Sequence, residues 1–292
     1  IQYYFPNSNL YLIMRDYLKP VFSKDSIVIN GHPKGDTLFI NGRIIMKERP
    51  AIKDEGIYYA NDKVAFIYVK EKNIIRLNVS SYNDIEQLKK IGLPEFKISN
   101  IFFIEYPWDL IKENKGEIVR EYGLYAQGES LTSLDVEIMG NKELVFAGKD
   151  VETEKNIVFD VRKGPIFIGN GTRIRAFSRI AGPTYIGNSC LIKSGRIESC
   201  AIGDVCKIGG EIEDTIFHGY SNKQHYGFIG HSYLGEWVNL GAGTSNSDLK
   251  DTYGIIKYKV AGKTIDSGEQ FFGCVIGDNA KSSIGTMIYT GK

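Results

Sequence analysis

From Ile168 the chain places an aliphatic residue at every sixth position: Ile168, Ile174, Ile180, Ile186 and Ile192. Four residues after these stand Thr172, Ser178, Thr184, Cys190 and Arg196, of which the first four are small. Ile-Gly-Asn occurs at 168–170 and again at 186–188. The phase then slips and resumes at Ile202 and Ile208, and Leu234 and Leu240 keep the same step. Near the end, IGDNAKSSIG repeats the idea less regularly. A short fixed period of this kind marks a parallel β-helix. Each hexad supplies one short strand and a corner, with the aliphatic side chain inward and the small residue in the tapering interior. Three hexads close a triangular coil, so residues eighteen apart are expected to stack one strand spacing away, about 4.8 Å. On that spacing Arg175 lies under Lys193, and Arg179 nearly under Arg196. Stacked like charges repel unless they are solvated or hold an anion. Both an outer solvated face and a phosphate site remain open for them.

The pattern upstream is different. Residues 1 to about 106 read as a mixed α/β unit. TLFINGRII is interrupted at Asn41-Gly42, a hairpin-type turn pair, and IYYA and VAFIYV form a second hairpin through Asn61-Asp62-Lys63. Residues 83–92 predict a helix with Ile85, Leu88 and Ile91 on one face and Gly92 as its stop. Pro107 opens another helix, expected to end near Asn114 to Gly116. Alternating segments through about Asp160 read as strands leading into the repeats. The expected fold class is therefore mainly β: a C-terminal β-helix over 161–292, connecting strands over 121–160, and a smaller α/β domain over 1–120. Residues 254–270 drop the six-step, and YKVAGKTI reads as a hairpin turning on Ala261-Gly262-Lys263.

Composition narrows the function. Lys plus Arg (36) balances Asp plus Glu (35), which argues against a nucleic-acid partner. The four cysteines, Cys190, Cys200, Cys206 and Cys274, match no zinc or redox spacing and read as buried thiols. No apolar run reaches the roughly 18 residues of a membrane span, and no leader pattern opens the chain. The chain reads as soluble and cytoplasmic, with no membrane partner. It opens on Ile1 rather than Met and closes at Lys292 in a repeat-like phase, so further residues are expected upstream. There is no G-x-G-x-x-G or P-loop, and His32, Lys34 and Asp36 read as ordinary turn residues.

The six-step lapses between Ile208 and Leu234, and there FHGYSNKQHYGFIGHSYLGEWVNLGAGT (217–244) gathers His, Asn, Lys and a Gly-Ala-Gly turn. The hexads resemble those of the hexapeptide-repeat transferases, which implies a left-handed β-helix and a homotrimer. His225, followed fourteen residues later by Asn239-Leu240-Gly241-Ala242-Gly243-Thr244, is similar to the acetyltransferase half of the bifunctional glucosamine-1-phosphate acetyltransferase and N-acetylglucosamine-1-phosphate uridylyltransferase family. The longer stretch IGGEIEDTIFHGYSNKQHYGFIGHSYLGEWVNLGAGTSNSDLK resembles related sugar-phosphate nucleotidylyltransferases, as do DTLFINGRI and YPWDLIKEN. The resemblance implies His225 as the catalytic base and Asn239 as a substrate-orienting group. Phe228 stands where those acetyltransferases carry a Tyr, and Glu213 where they carry a phosphate-binding Lys. The nucleotidylyltransferase signature loop is absent from this sequence.

A histidine with its ordinary pKa suits a base at neutral pH. Backbone N–H groups of Gly241, Ala242 and Gly243 are candidates to hold acetyl-CoA and its oxyanion. Lys223, Arg196, Asn246 and Lys250 are candidates for the sugar phosphate. His231 falls at a turn and reads as structural. The expected reaction is acetyl-CoA-dependent N-acetylation of an amino-sugar 1-phosphate. The alternatives are a sugar-1-phosphate nucleotidylyltransferase using a nucleoside triphosphate and Mg²⁺, or a non-catalytic trimeric binding module. A resemblance to the carbonic anhydrases of this fold would imply a zinc held between subunits by three histidines; His218, His225 and His231 are seven and six apart and lack that family's five-residue pair, so no metal ligands are assigned.

Overall fold

A computed structural model describes residues 1–21, 28–31, 33–74, 92–126, 136–260 and 262–292. His32, residues 83–91 of the helix expected at 83–92, and Ala261 lie outside the described residues. The chain forms two compact units, Ile1–Glu105 and Tyr106–Lys292.

In the first unit, four strands lie in the order Thr37–Ile40, Lys63–Val69, Gly56–Ala60, Glu95–Lys97. The first three are antiparallel and the last runs parallel to Gly56–Ala60. The two-residue period buries Ile57, Ile67 and Val69 on one face and Tyr58, Ala60 and Phe66 on the other. The hairpin at Asn61-Asp62 is as expected: both residues have positive φ, the conformation whose twist suits a two-residue hairpin. The Asn41-Gly42 expectation fails. Thr37–Ile40 pairs with Lys63–Val69, while Ile44–Ile45 departs to pair with Phe102–Phe103. A turn does form there, with Ile44 N–H donating to Asn41 O at 3.0 Å, but it joins strands of different sheets.

The second unit is a parallel β-helix with an α-helix, Pro107–Tyr125, packed on it. One face stacks Val145–Ala147, Ile166–Ile168, Thr184–Ile186, Ala201–Ile202, Ile216–Gly219, Tyr233–Glu236 and Val275–Ile276, all parallel. The strands Leu191–Glu198 and Lys207–Glu213 bend through both remaining faces. The hexad aliphatics Ile168, Ile174, Ile180, Ile186 and Ile192 are fully buried, as the period predicts. All four cysteines are buried and free. The glycine of Ile-Gly-Asn has a steric cause: a Cβ on Gly169 would stand 2.5 Å from the Gly187 carbonyl carbon of the next coil. The Asn that follows bonds between coils, with Asn188 Oδ1 accepting from Asn170 N–H at 2.9 Å.

The coil length is not constant at eighteen. Val145 stands opposite Ile166, twenty-one residues on, and Ile166 opposite Thr184, eighteen on. Tyr185 then meets Ala201 at sixteen, Ala201 meets Ile216 at fifteen, and Ile216 meets Tyr233 at seventeen. The shorter coils turn at single residues with positive φ, among them Ser199, Val205, Asp214, Tyr220, His231 and Trp237. Between Tyr233 and its partner Val275 the chain makes an excursion that includes the antiparallel pair Lys257–Val260 and Lys263–Asp266.

Candidate active site

His225 sits where the chain leaves one face of the prism, at Asn222–Lys223, and enters the next, at Phe228–Gly230. Its side chain is exposed and has no hydrogen-bond partner among the described residues. What shapes this corner is Lys223. Lys223 stacks on Ile208, which itself stacks on Ile192, so it occupies an aliphatic position of the interior. It is 0% exposed. Its ammonium donates to the carbonyl oxygens of Gly209 at 3.3 Å, Tyr226 at 3.2 Å and His225. Burial pushes its pKa down to about 8. An ammonium enclosed in this way does not reach a phosphate outside the coil, and the expectation that Lys223 binds substrate is corrected accordingly.

The coil above carries the other half of the site. Asn239 is exposed and lies between Asn222 and Lys281 through isolated bridges, with Asn222 Nδ2 donating to its Oδ1 at 3.4 Å. A tight turn follows, closed by Thr244 N–H donating to Gly241 O at 3.1 Å. Gly243 N–H donates to Tyr226 O at 3.0 Å, which ties this turn to the His225 corner. Gly241 N–H donates to Ser282 Oγ at 3.1 Å. Of the three N–H groups expected to meet a ligand, two are thus engaged within the fold, and Ala242 N–H alone has no acceptor among the described residues. Gly241 also answers to stacking, since a Cβ there would approach the Ser283 carbonyl group to 2.6 Å.

The remaining candidates are placed elsewhere. Arg196 stacks on Arg179, but carboxylates separate and neutralise the pair. Arg196 bonds Glu198 at 2.6 Å and Glu211 at 3.2 Å, while Arg179 bonds Asp160. The like-charge stack is therefore an ion-pair ladder, which explains it without an anion. Arg175 is paired with Glu154 in the same way. Asn246 is buried, its Oδ1 accepting from Gly230 N–H at 2.8 Å and its Nδ2 donating to Gly230 O at 3.0 Å; it secures a coil instead of facing a ligand. Lys250 donates to Ile255 O at 3.2 Å within the excursion.

Sequence reasoning passed over one cluster. His231 Nδ1 stands 2.8 Å from Asp248 Oδ2, and its Nε2 stands 3.4 Å from Asp214 Oδ2. Lys115 of the helix pairs with Asp214 at 2.7 Å, and Phe271 stacks on the imidazole at 5.2 Å. The signal was present, because 214, 231 and 248 are spaced by seventeen, the local coil length, but a search at eighteen misses it. Both ring nitrogens of His231 face carboxylate oxygens, whereas the His225 imidazole has no such partner among the described residues; His218 is also exposed, with Nδ1 3.8 Å from Glu236 Oε1. Among the described residues no group of three or more His, Cys, Asp or Glu is placed to hold a metal ion. None of their helices is long and apolar enough to cross a membrane.

Comparison with known proteins decides the class. Residues 1–130 match the sugar nucleotidyl transferase family model. The match ends inside the second unit, so it does not divide the chain as the fold does. A bifunctional sugar-1-phosphate nucleotidylyltransferase/acetyltransferase of Sulfurisphaera tokodaii is 24% identical over 94% of this chain and 72% of its own length. Bifunctional proteins GlmU are also similar: 29% identical in Pelobacter propionicus and 32% in an Azoarcus strain, over 36% and 35% of this chain. The chain spans only 30% and 26% of those bacterial relatives. The chain is thus a transferase, related to the sugar-phosphate transferases that combine these two activities. The resemblance drawn from the His225–Thr244 motif and from the N-terminal segments agrees with this.

Proposed function

We propose that the β-helix half is an acetyl-CoA-dependent N-acetyltransferase acting on an amino-sugar 1-phosphate. The observation that carries this reading is the exposed His225, without a partner among the described residues, at a corner tied through Tyr226 to the turn that offers Ala242 N–H. The sugar amine attacks the thioester carbonyl, and His225 takes the amine proton. The C–S bond then breaks, and coenzyme A leaves as thiolate and is protonated to the thiol. Ala242 N–H is a donor for the oxyanion, and Asn239 orients the sugar. Acetyl-CoA is a co-substrate here, and the protein acts in the cytoplasm. A homotrimer with sites in the grooves between prisms fits the exposed Phe177 and the outward Tyr220–Trp237 ring stack, at 4.9 Å between centroids, which a partner would cover.

Purified protein given acetyl-CoA and glucosamine 1-phosphate should release free thiol. His225→Ala should lower kcat by about 10² or more, the usual worth of a positioned base. A thiol signal that persists unchanged in His225→Ala sinks the assignment. If His231→Gln abolishes the signal instead, the base belongs to the His231–Asp248 pair.

A second reading draws on the family match over residues 1–130. In it the chain transfers a nucleotidyl group to a sugar 1-phosphate with Mg²⁺, and the β-helix mainly assembles the oligomer. Pyrophosphate release from a nucleoside triphosphate and a sugar 1-phosphate tests it directly.

A further inference from the structure

We infer that Lys223 is a positioning residue: from inside the coil its ammonium gathers the carbonyls of His225 and Tyr226 and so fixes where the His225 imidazole stands outside. This rests on the reading of His225 as the base.

Three observations lead there. First, the position is aliphatic elsewhere in its column, where Ile192 and Ile208 are fully buried. A lysine gains nothing from that surrounding, since a buried cation loses its water. Its partners among the described residues are carbonyl oxygens, with no carboxylate to neutralise it. Second, the stoichiometry matches. An ammonium has three donors, and three carbonyls receive them. Two of those carbonyls belong to consecutive residues, 225 and 226, the segment that turns the corner. Third, His225 O has no other donor among the described residues. An aliphatic residue at 223 would satisfy the column and leave that carbonyl unpaired against an apolar interior. The sequence has accepted a charge in the core at the one coil whose corner carries the candidate base.

Tyr226 O accepts from Lys223 on one side and from Gly243 N–H on the other. Lys223 therefore sets the His225 corner against the Gly241–Thr244 turn as well. A base must be held within a fraction of an ångström of its proton donor, and a small misplacement costs rate without abolishing binding.

The test compares Lys223→Met, which keeps volume and removes the donors, with Lys223→Gln, which keeps two. In full-length protein, amide exchange at Gly243, whose N–H donates to Tyr226 O, and at Glu211, whose N–H donates to Gly227 O, should speed up about tenfold or more in the Met variant and less in the Gln variant, as expected when hydrogen bonds that hold the corner are lost. The strand Ile216–Gly219 should exchange as before. Acetyl transfer should show kcat falling about tenfold with KM for acetyl-CoA little changed. In the unaltered protein the Lys223 ammonium protons should exchange slowly enough to be seen by ¹⁵N-lysine NMR, a measurement that stands even where a variant does not fold. Unchanged exchange at Gly243 and Glu211 in Lys223→Met, or an ammonium in free exchange with water, overturns the proposal. These outcomes are independent of whether His225→Ala retains activity, which bears on the reaction alone.

Discussion

At the scale of the residue, Lys223 has a thermodynamic signature as well as a positional one. Its folded pKa, about 8, lies below the ordinary lysine value of 10.5. Between those values the unfolded chain holds a proton that the folded chain has released. Stability from this group therefore rises as pH climbs from about 8 to about 10.5, and below about 8 it contributes no slope. The rise is at most about 3 kcal/mol. Urea unfolding of wild type and Lys223→Met across this range should give a difference curve that climbs by this order; a flat difference would mean that the ammonium is not desolvated. The residue also shows what the sequence hid. Lys223 falls fifteen residues after Ile208, a coil length that the six-step does not announce, so it read as a polar residue in a lapse instead of a core position. His231 and its two carboxylates were hidden for the same reason. His225, Asn239 and the Gly-Ala-Gly turn were legible as a group, because a motif keeps its spacing within one coil even when coils differ.

At the scale of the element, the helix Pro107–Tyr125 runs through the glycine that local reading takes as its end. Its start is clear in sequence: Pro107 stands in the first turn and Asp109 accepts from Tyr106 N–H at 2.9 Å. Its length is set by packing. Trp108 and Ile111 meet Ile256 and Phe272, farther along Asn114 Nδ2 donates to Ser199 O and Lys115 pairs with Asp214, and beyond Gly116 the Tyr122 hydroxyl donates to Glu143 O at 2.7 Å. Those contacts override the preference of Gly116, whose cost inside a helix is about 1 kcal/mol. Gly116 is exposed and a Cβ there meets nothing within 4 Å. Gly116→Ala should therefore stabilise the second unit by about 0.5–1 kcal/mol, read as a raised denaturant midpoint at unchanged slope. A lowered midpoint would mean that the helix pays for an added methyl in some contact the glycine avoids. Asn41-Gly42 is the same lesson for strands: the turn forms, but the partner of each flanking strand is chosen by distant residues.

At the scale of the whole molecule, the two units differ in how plainly they are written. The β-helix repeats, and a repeat is read by comparison of the chain with itself. The first unit is held by pairings such as Gly56–Ala60 with Glu95–Lys97, which no local period records. The second unit has its own continuous core from Val145 to Leu240, closed on one side by its helix. Residues 106–292 expressed alone should therefore melt in one cooperative transition and retain whatever acetyl transfer the full chain shows. A fragment that aggregates, or that melts without cooperativity, would show that this core is not self-sufficient.

The changing coil length makes the prism behave like a screw of constant pitch whose thread takes a different number of residues at each turn. Which residue lies above which is then a local property, set by the number of residues spent at each corner. An alignment that carries one fixed interval from end to end shifts every facing pair below a short coil. The molecule itself absorbs such a change at the corner: Tyr233 still faces Val275 across the whole excursion between them. Along this chain the length of each coil, as much as the side chains, specifies the site.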